Sequence, residues 1–362
     1  MMKVPVIIIC LFTLFSCQSK LSPETVNKIK EQESFWQIRT NLIIENKNAT
    51  QYPVKKDTSI SHEKRSNYIY IHSADCQFEV YINDVLLTNF KGEMARKGGV
   101  TGGHITNFLL LTSGTNEIKV RMYPPYGEKV FKIGAAVGLV FQHFRDGNFK
   151  TTVYDEKMRG KDGIILDHFD KQWVSDKGEY GTSSWVEAHY EPKTPLPLKG
   201  LPIYEWSSTF EAQVPYDLVG WHNSVNLEKE QEDENKNIKA ELIAEYKKVY
   251  EIIKNRDVQG YLKLVKEREE LLEKTMYYTE KDRKEKVKMA EELLNDSDYE
   301  IEPLFEETFQ LEYQGYGKLA TLIHKADGEG IIRMRNKKNP DENIYLDFLF
   351  QRKEKGGKLT VI

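Results

Sequence analysis

Apolar and polar positions alternate every second residue in short runs through the first two thirds of the chain. That period belongs to strands with one buried face. Runs at residues 68–71, 78–82 and 85–87 come first, and Asn83-Asp84 between the last two is a tight hairpin signal because both residue types tolerate positive φ. Strands are expected again at 105–111 and 117–123, joined by the turn Ser113-Gly114-Thr115-Asn116 and stopped by Pro124-Pro125. Further extended runs fall at 132–144, 150–154, 185–190, 203–210 and 216–221. Before them, 18–34 is polar and reads as a tether, 36–39 and 42–44 are short β-prone runs, and 46–66 reads as a long loop. No helical period is evident between 35 and 222, so an antiparallel sandwich is expected there.

The period changes after Leu227. The run Glu228-Lys229-Glu230-Gln231-Glu232-Asp233-Glu234 has no apolar residue and reads as a domain boundary or the solvated start of a helix, with an exposed, protease-sensitive junction expected between about 223 and 237. Ile238, Leu242, Ile243, Tyr246, Val249, Tyr250 and Ile253 then mark one face of a helix. Asp257 can cap a second helix, and Thr279 with Asp282 forms a capping-box pattern for a third. From Phe305 the period returns to two. Strands are expected around Phe309/Leu311/Tyr313, Leu319/Thr321/Ile323, Ile331/Arg333 and Ile344/Leu346/Phe348/Phe350, with 359–362 a fifth. Helices followed by an antiparallel meander is an α+β layout.

The first residues follow another rule. Met1-Met2-Lys3 precedes an apolar run of about ten residues and then small ones, a signal-peptide layout. A membrane-spanning helix needs about 20. The run ends in Leu14-Phe15-Ser16-Cys17, which resembles the lipobox of bacterial lipoproteins. The resemblance implies cleavage before Cys17, diacylglycerol on its thiol and acylation of the new amine. The expected organisation is therefore a signal peptide at 1–16, a lipidated tether at 17–34, a β-sandwich domain at 35–226 and a smaller α+β domain at 227–362. Gln18-Ser19 after the Cys, with no acidic cluster following, implies an outer-membrane anchor facing the periplasm.

Two looser resemblances concern architecture. Val80-Tyr81-Ile82-Asn83-Asp84, with Ser113-Gly114-Thr115-Asn116 and the strand after it, is similar to jelly-roll sandwich modules. The element order of the last 120 residues or so resembles NTF2-like or cystatin-like folds.

Composition narrows the chemistry. Net charge is −4, which provides no basic field for nucleic acid. Of three Cys, Cys10 leaves with the signal and Cys17 carries lipid, so Cys76 is left without an intrachain partner. It sits in an alternating run and reads as a small buried residue. Gly98-Gly99-Val100-Thr101-Gly102-Gly103 has phosphate-loop spacing, but His104-Ile105 stand where Lys and Ser/Thr are needed, so a mobile loop is expected. Asp162, Asp167, His168 and Asp170 are the densest carboxylate–imidazole cluster and an oxygen-rich candidate for a metal, without EF-hand spacing. The eight His form no zinc signature. Ser61-His62-Glu63-Lys64 matches Ser-x-x-Lys outside any helix start. His324 and Asp327 flank a hairpin, either a polar turn or a general-base dyad. Trp173, Trp185, Trp206 and Trp221 read mostly as sandwich residues, with stacking on sugars or protein hot spots as the functional reading.

Together these point to a lipid-anchored envelope protein, with no cofactor assigned. Its membrane contact is through Cys17, and its role is non-catalytic binding of a protein or glycan. Two other expectations stand beside it: a periplasmic immunity protein that neutralises an antibacterial toxin, and an enzyme with a pocket in the C-terminal domain.

Overall fold

Local capping and turn chemistry set most element ends. The computed structural model describes residues 21–46, 55–56, 64–92, 95, 98–131, 134–145, 148–158, 164–175, 183–192, 203–339 and 342–362. The signal segment and Cys17 lie outside these residues.

The described chain opens with helix α1 (Pro23–Asn46), where a tether and short strands were expected. The start is encoded locally. Ser22 Oγ accepts the Thr25 amide at 3.1 Å, Pro23 takes the first helical position and Glu24 faces the helix N-terminus. The helix lacks a clean apolar stripe because its buried side carries Arg39 beside Trp36.

Antiparallel strands follow: β1 (Lys55–Lys56), β2 (Ser66–Ala74), β3 (Gln77–Ile82), β4 (Val85–Phe90), β5 (Thr101–Ile105), β6 (Gly114–Tyr123), β7 (Ala136–Arg145), β8 (Asn148–Met158), β9 (Ile164–Ser175), β10 (Ser183–Pro192) and β11 (Tyr204–Ala212). They form two sheets. One runs β1-β6-β3-β4 with β11 also on β6; the other has six strands in the order β10-β9-β8-β7-β2-β5. Ile69, Ile71, Val137 and Leu139 of the second sheet meet Val80, Ile82, Ile118 and Val120 of the first in one apolar core. Phe141 and Phe210 bridge the sheets with ring centroids 4.2 Å apart. Cys76 is buried in this core, its Sγ 3.3 Å from the Ala136 carbonyl.

Three readings need correction here. The glycine loop ends in a strand, since Gly102 and Gly103 pair with Ile71 and Tyr70. The strand expected at 105–111 gives way to a 3₁₀ turn at Asn107–Leu109. Residues 216–221 are not a strand; the polypeptide turns at 220–223. The Asn83-Asp84 hairpin stands, with φ of 49° and 62°.

The second half places helices before strands. Helix α2 (Leu227–Glu234) occupies the charge run, in keeping with the helix-start reading, but it is not wholly solvated. Asn226 caps it by accepting the Lys229 amide at 2.9 Å. Glu230 is buried and pairs with Arg352 at 2.9 Å and Lys236 at 2.6 Å. Then come α3 (Ile238–Lys254), α4 (Val258–Leu264), α5 (Lys266–Thr275) and α6 (Glu280–Asn295). Asp257 caps α4, and Thr279/Asp282 form the capping box of α6.

The strands after them divide between two sheets instead of one meander. β12 (Tyr299–Ile301), β15 (Ile332–Asn336) and β16 (Asn343–Leu346) make one; β13 (Phe309–Gln314), β14 (Leu319–His324), β17 (Phe350–Arg352) and β18 (Leu359–Val361) make the other. The run 344–350 breaks after Leu346, so Leu346 and Phe350 belong to different sheets. The α3 stripe of Leu242, Tyr246, Val249 and Ile253 packs on these strands. The Tyr246 ring lies tilted against Phe350 with centroids 5.2 Å apart, and its hydroxyl donates to the Phe348 carbonyl at 3.0 Å.

The two halves touch. Leu319 enters the sandwich core. The Gly315 amide donates to the Asp84 carbonyl at 2.9 Å, and the Tyr316 amide to Asp84 Oδ2 at 2.7 Å. A buried ionic cluster fixes α1 across both. Arg39, fully buried, donates to Glu79 at 3.2 Å, to Tyr123 Oη at 3.0 Å and to Glu312 of β13. Lys91 also pairs with Glu79, and Arg121 donates to Tyr81 Oη at 2.9 Å and pairs with Glu205. Burial opposes the Glu79 charge, but Arg39, Lys91 and Arg121 outweigh it and hold the carboxyl well below its usual range.

Two stability measurements check this account. Arg39→Ala leaves Glu79 and Glu312 short of a partner and should destabilise by about 3–5 kcal/mol in denaturant titration. Leu322→Ala, at a fully buried position, should cost about 2–5 kcal/mol, and the half-buried Leu346→Ala distinctly less.

Candidate functional site

Strand alternation settles the acidic cluster first. Asp162 lies outside the described residues. On β9, Asp167 pairs with Asp155, whereas His168 and Asp170 pair with Tyr154 and Thr152. Successive residues alternate faces, so Asp167 is on the side opposite His168 and Asp170. The three do not converge, and no His, Cys or carboxylate group of metal-binding size occurs among the described residues. Ser61 and His62 also lie outside the described residues; Lys64 is exposed, 5.5 Å from the Tyr277 ring centroid.

His324 and Asp327 do come together. They lie at the hairpin after β14, on a groove of about 440 Å³ between the start of α1 and the C-terminal strands, with Thr25, Phe305, Arg333 and Tyr345 around it. The pair is not arranged as a base with its orienting carboxylate. Asp327 receives the Arg333 fork at 2.8 and 2.7 Å and the Glu329 amide at 3.0 Å. Burial opposes its charge, yet Arg333 prevails and keeps it below the usual carboxylate range. His324 Nδ1 accepts the Ala326 amide at 3.1 Å, which assigns the ring proton to Nε2. Burial, with Arg333 assisting, pushes the imidazole down to about 4. At neutral pH His324 is thus an uncharged hydrogen-bond donor.

The outer face of the six-stranded sheet carries the other candidate. On β2 the odd positions Ile69 and Ile71 are in the core, and the even positions Tyr70 and His72 are exposed. Tyr68 and Tyr70 stack with centroids 6.4 Å apart. Glycines let the rings lie on the sheet: a Cβ at Gly103 would meet Tyr70 Cε1 at 2.9 Å, and one at Gly138 would meet the His72 ring at 2.0 Å. These glycines pair with Tyr70 and His72.

Register carries this face across the sheet, because directly paired residues share a face. One row runs Ser66, Phe144, Phe149, Trp173, Trp185. The next runs Tyr68, Gln142, Thr151, Lys171, Glu187, and the third Tyr70, Val140, Val153, Phe169, Tyr190. The core face changes in the opposite sense. Buried Phe141, Leu139 and Val137 of β7 pair with Thr152, Tyr154 and Glu156 of β8, and these with Asp170, His168 and Leu166 of β9. On β8 to β10 the positions in register with the outer face are mixed, aromatic at Phe149, Trp173 and Trp185 and charged at Asp155, Lys157 and Asp167. The principal contacts of β8, β9 and β10 are with one another and with β7.

Of the four Trp singled out from the sequence, Trp221 is buried in the core and Trp206 shares a strand face with buried Phe210 and Ala212. Trp173 and Trp185 share the outer rows. Pairing across β9 and β10 was the missing signal; each strand alone shows only mixed alternation.

No family model matches the chain, and no curated protein or solved structure matches it.

The His324 geometry has a pH consequence. Its folded-state pKa of about 4 lies below the usual 6.5. The unfolded state takes up the proton first, so this contribution is complete above pH 6.5 and is lost as pH falls towards 4. Glu329, raised by burial to about 6, acts in the opposite direction over part of that window. Subtracting the pH–stability curve of His324→Gln from that of the unaltered protein isolates the His324 part. The difference should grow to roughly 3 kcal/mol between pH 6.5 and 4; parallel curves would refute the buried neutral imidazole.

Proposed function

We propose that this chain is a lipid-anchored envelope protein, attached through Cys17 to the outer membrane on its periplasmic side, with a non-catalytic binding role. The ligand, a protein or a glycan, sits on the outer face of the six-stranded sheet. One observation supports this above others: Tyr68 and Tyr70 stack on the outer face of β2, and exposed Tyr70 lies over Gly103. Exposed aromatic side chains on a flat sheet face suit a binding role.

The Leu-Phe-Ser-Cys motif supports the anchor. Among the described residues no helix is long and apolar enough to cross a membrane. Since α1 begins at Pro23, only a few residues separate Cys17 from folded structure, at most about 20 Å when extended. The body would ride close to the bilayer, with the start of α1 nearest to it. Stable attachment needs two or more acyl chains, which the lipobox resemblance supplies.

Two experiments address the two parts. Cys17→Ser should abolish incorporation of labelled palmitate and release the protein from membranes; label persisting in that variant would sink the anchor. Photo-crosslinking addresses the face. A benzophenone amino acid at His72, exposed beside Tyr70 on the outer face, should give adducts in intact cells, and the same group at Met289, exposed on α6, should not. Equal adducts from both positions would refute a face-specific site.

A further inference from the structure

We infer that the groove beside the start of α1 is a binding site for a phosphoethanolamine zwitterion, met as the headgroup of a phospholipid in the surrounding bilayer. The site lies apart from the sheet face proposed above, and only the choice of a lipid rests on the anchor reading.

Two side chains that the fold leaves unanswered carry the inference. The first is His324. It is 8% exposed, lines the groove and commits Nδ1 to the Ala326 amide. The ring proton is therefore on Nε2, and that nitrogen meets no acceptor among the described residues. A buried donor left so is costly unless something else accepts from it. Here it borders a cavity of about 440 Å³, within the size range of small-molecule sites. The second is Glu302. Ile301 pairs with buried Met334, so its neighbours Glu300 and Glu302 are on the other face of this sheet, which lines the groove. The Glu302 amide donates to the Arg333 carbonyl at 2.8 Å, but its carboxylate makes no hydrogen bond or ion pair among the described residues. Arg333 and Arg335 are already engaged by Asp327 and Glu300 and act on Glu302 only at longer range.

The lining has no net sign. Lys28, Arg333 and Arg335 stand against Glu300, Glu302 and Asp327. No overall field selects an anion or a cation, so the two unanswered groups decide. A ligand must accept from His324 and donate to Glu302. The accepting end has further donors. The Ser22 and Thr25 hydroxyls lie 2.9 Å apart, so one donates to the other and one proton is left to give. Both sit at the N-terminal end of a helix of 24 residues, which favours negative charge. A phosphate suits that end, and an ammonium suits Glu302. Nearness favours the lipid: Leu21, which lines the groove, is four residues from Cys17, at most about 14 Å of extended chain.

The test uses the full chain. In detergent, calorimetry measures glycerophosphoethanolamine, the headgroup without acyl chains, beside ethanolamine and glycerol phosphate as its halves. The whole should bind at least tenfold more tightly than either half. Glu302→Gln should weaken it tenfold or more, and Met289→Ala, at an exposed site on α6, should leave it unchanged. The unaltered protein gives a second readout that no misfolded variant can obscure: the His324 Nε2 resonance should shift as the zwitterion is added. For the lipid, the anchored protein is placed in nanodiscs of phosphatidylcholine, with or without phosphatidylethanolamine. Only the ethanolamine lipid should move the resonance, because the choline nitrogen has no N–H to donate to Glu302.

Halves that bind as well as the whole, unchanged affinity in Glu302→Gln, or a His324 resonance that stays in place would each overturn the site. Binding of glycerophosphoethanolamine with no response to the nanodisc lipid would overturn the lipid and leave the soluble zwitterion as ligand. Failed palmitate labelling at Cys17 is a separate result. It removes the anchor and the argument from nearness, while the calorimetry still judges the groove.

Discussion

Everything that holds α1 in place converges on the fully buried guanidinium of Arg39. A lone charge in that position would be prohibitive, because the interior cannot replace its hydration. Burial lowers the pKa of Arg39, but Glu312 and Glu79 outweigh it and raise it well above the usual value. The partners come from separate parts of the chain: Glu79 from β3, Tyr123 from β6 and Glu312 from β13. Lys91 and Arg121 add positive charge around Glu79, and Glu205 adds negative charge around Arg121. Three cations therefore face three carboxylates. Such a cluster gives little net stability over a well-packed apolar substitute. It does make the arrangement selective, since the charges are satisfied only when the helix, the sandwich and β13 are all in place. Trp36 reinforces the same seam by donating its indole N–H to the Lys325 carbonyl and lying 5.3 Å from the Arg39 guanidinium.

The cluster also explains why this region misled a reading of apolar periodicity. Such a reading scores Arg39 as solvent-facing, and residues 18–34 look like a polar tether. What was legible was local chemistry: Ser22-Pro23-Glu24 spells a helix start, although Pro23 alone suggested a linker. Where side chains and backbone interact over a few residues, the sequence was sufficient. The Asn83-Asp84 hairpin, the Asp257 cap and the Thr279/Asp282 box are such cases. Where the outcome depends on distant partners, it was not. Glu230 lies in a run with no apolar residue, yet Arg352, more than a hundred residues away, makes it a buried anchor of α2. Leu346 and Phe350 share a strand period, but pairing sends Leu346 to Ile332 and Phe350 to Val361.

The candidate binding face belongs to the same class. Phe169 and Trp173 are four residues apart on β9, and nothing local says which face of the sheet they occupy. The answer comes from β7, where buried Phe141, Leu139 and Val137 define the inner side, and from registers passed strand to strand. Only then do Phe144, Phe149, Trp173 and Trp185 fall into one row. The acidic cluster dissolves by the same logic, since adjacent positions on a strand cannot share a face.

The edges of the six-stranded sheet add a final constraint. An open edge invites pairing with another chain, and proteins blunt it with bulges, charges, proline or short strands. β10, at one edge, has a register break between Glu187 and His189, carries Glu187 and Glu191, and ends at Pro192. β5, at the other, is five residues long and contains Gly102 and Gly103. Both edges are thus poorly suited to strand addition.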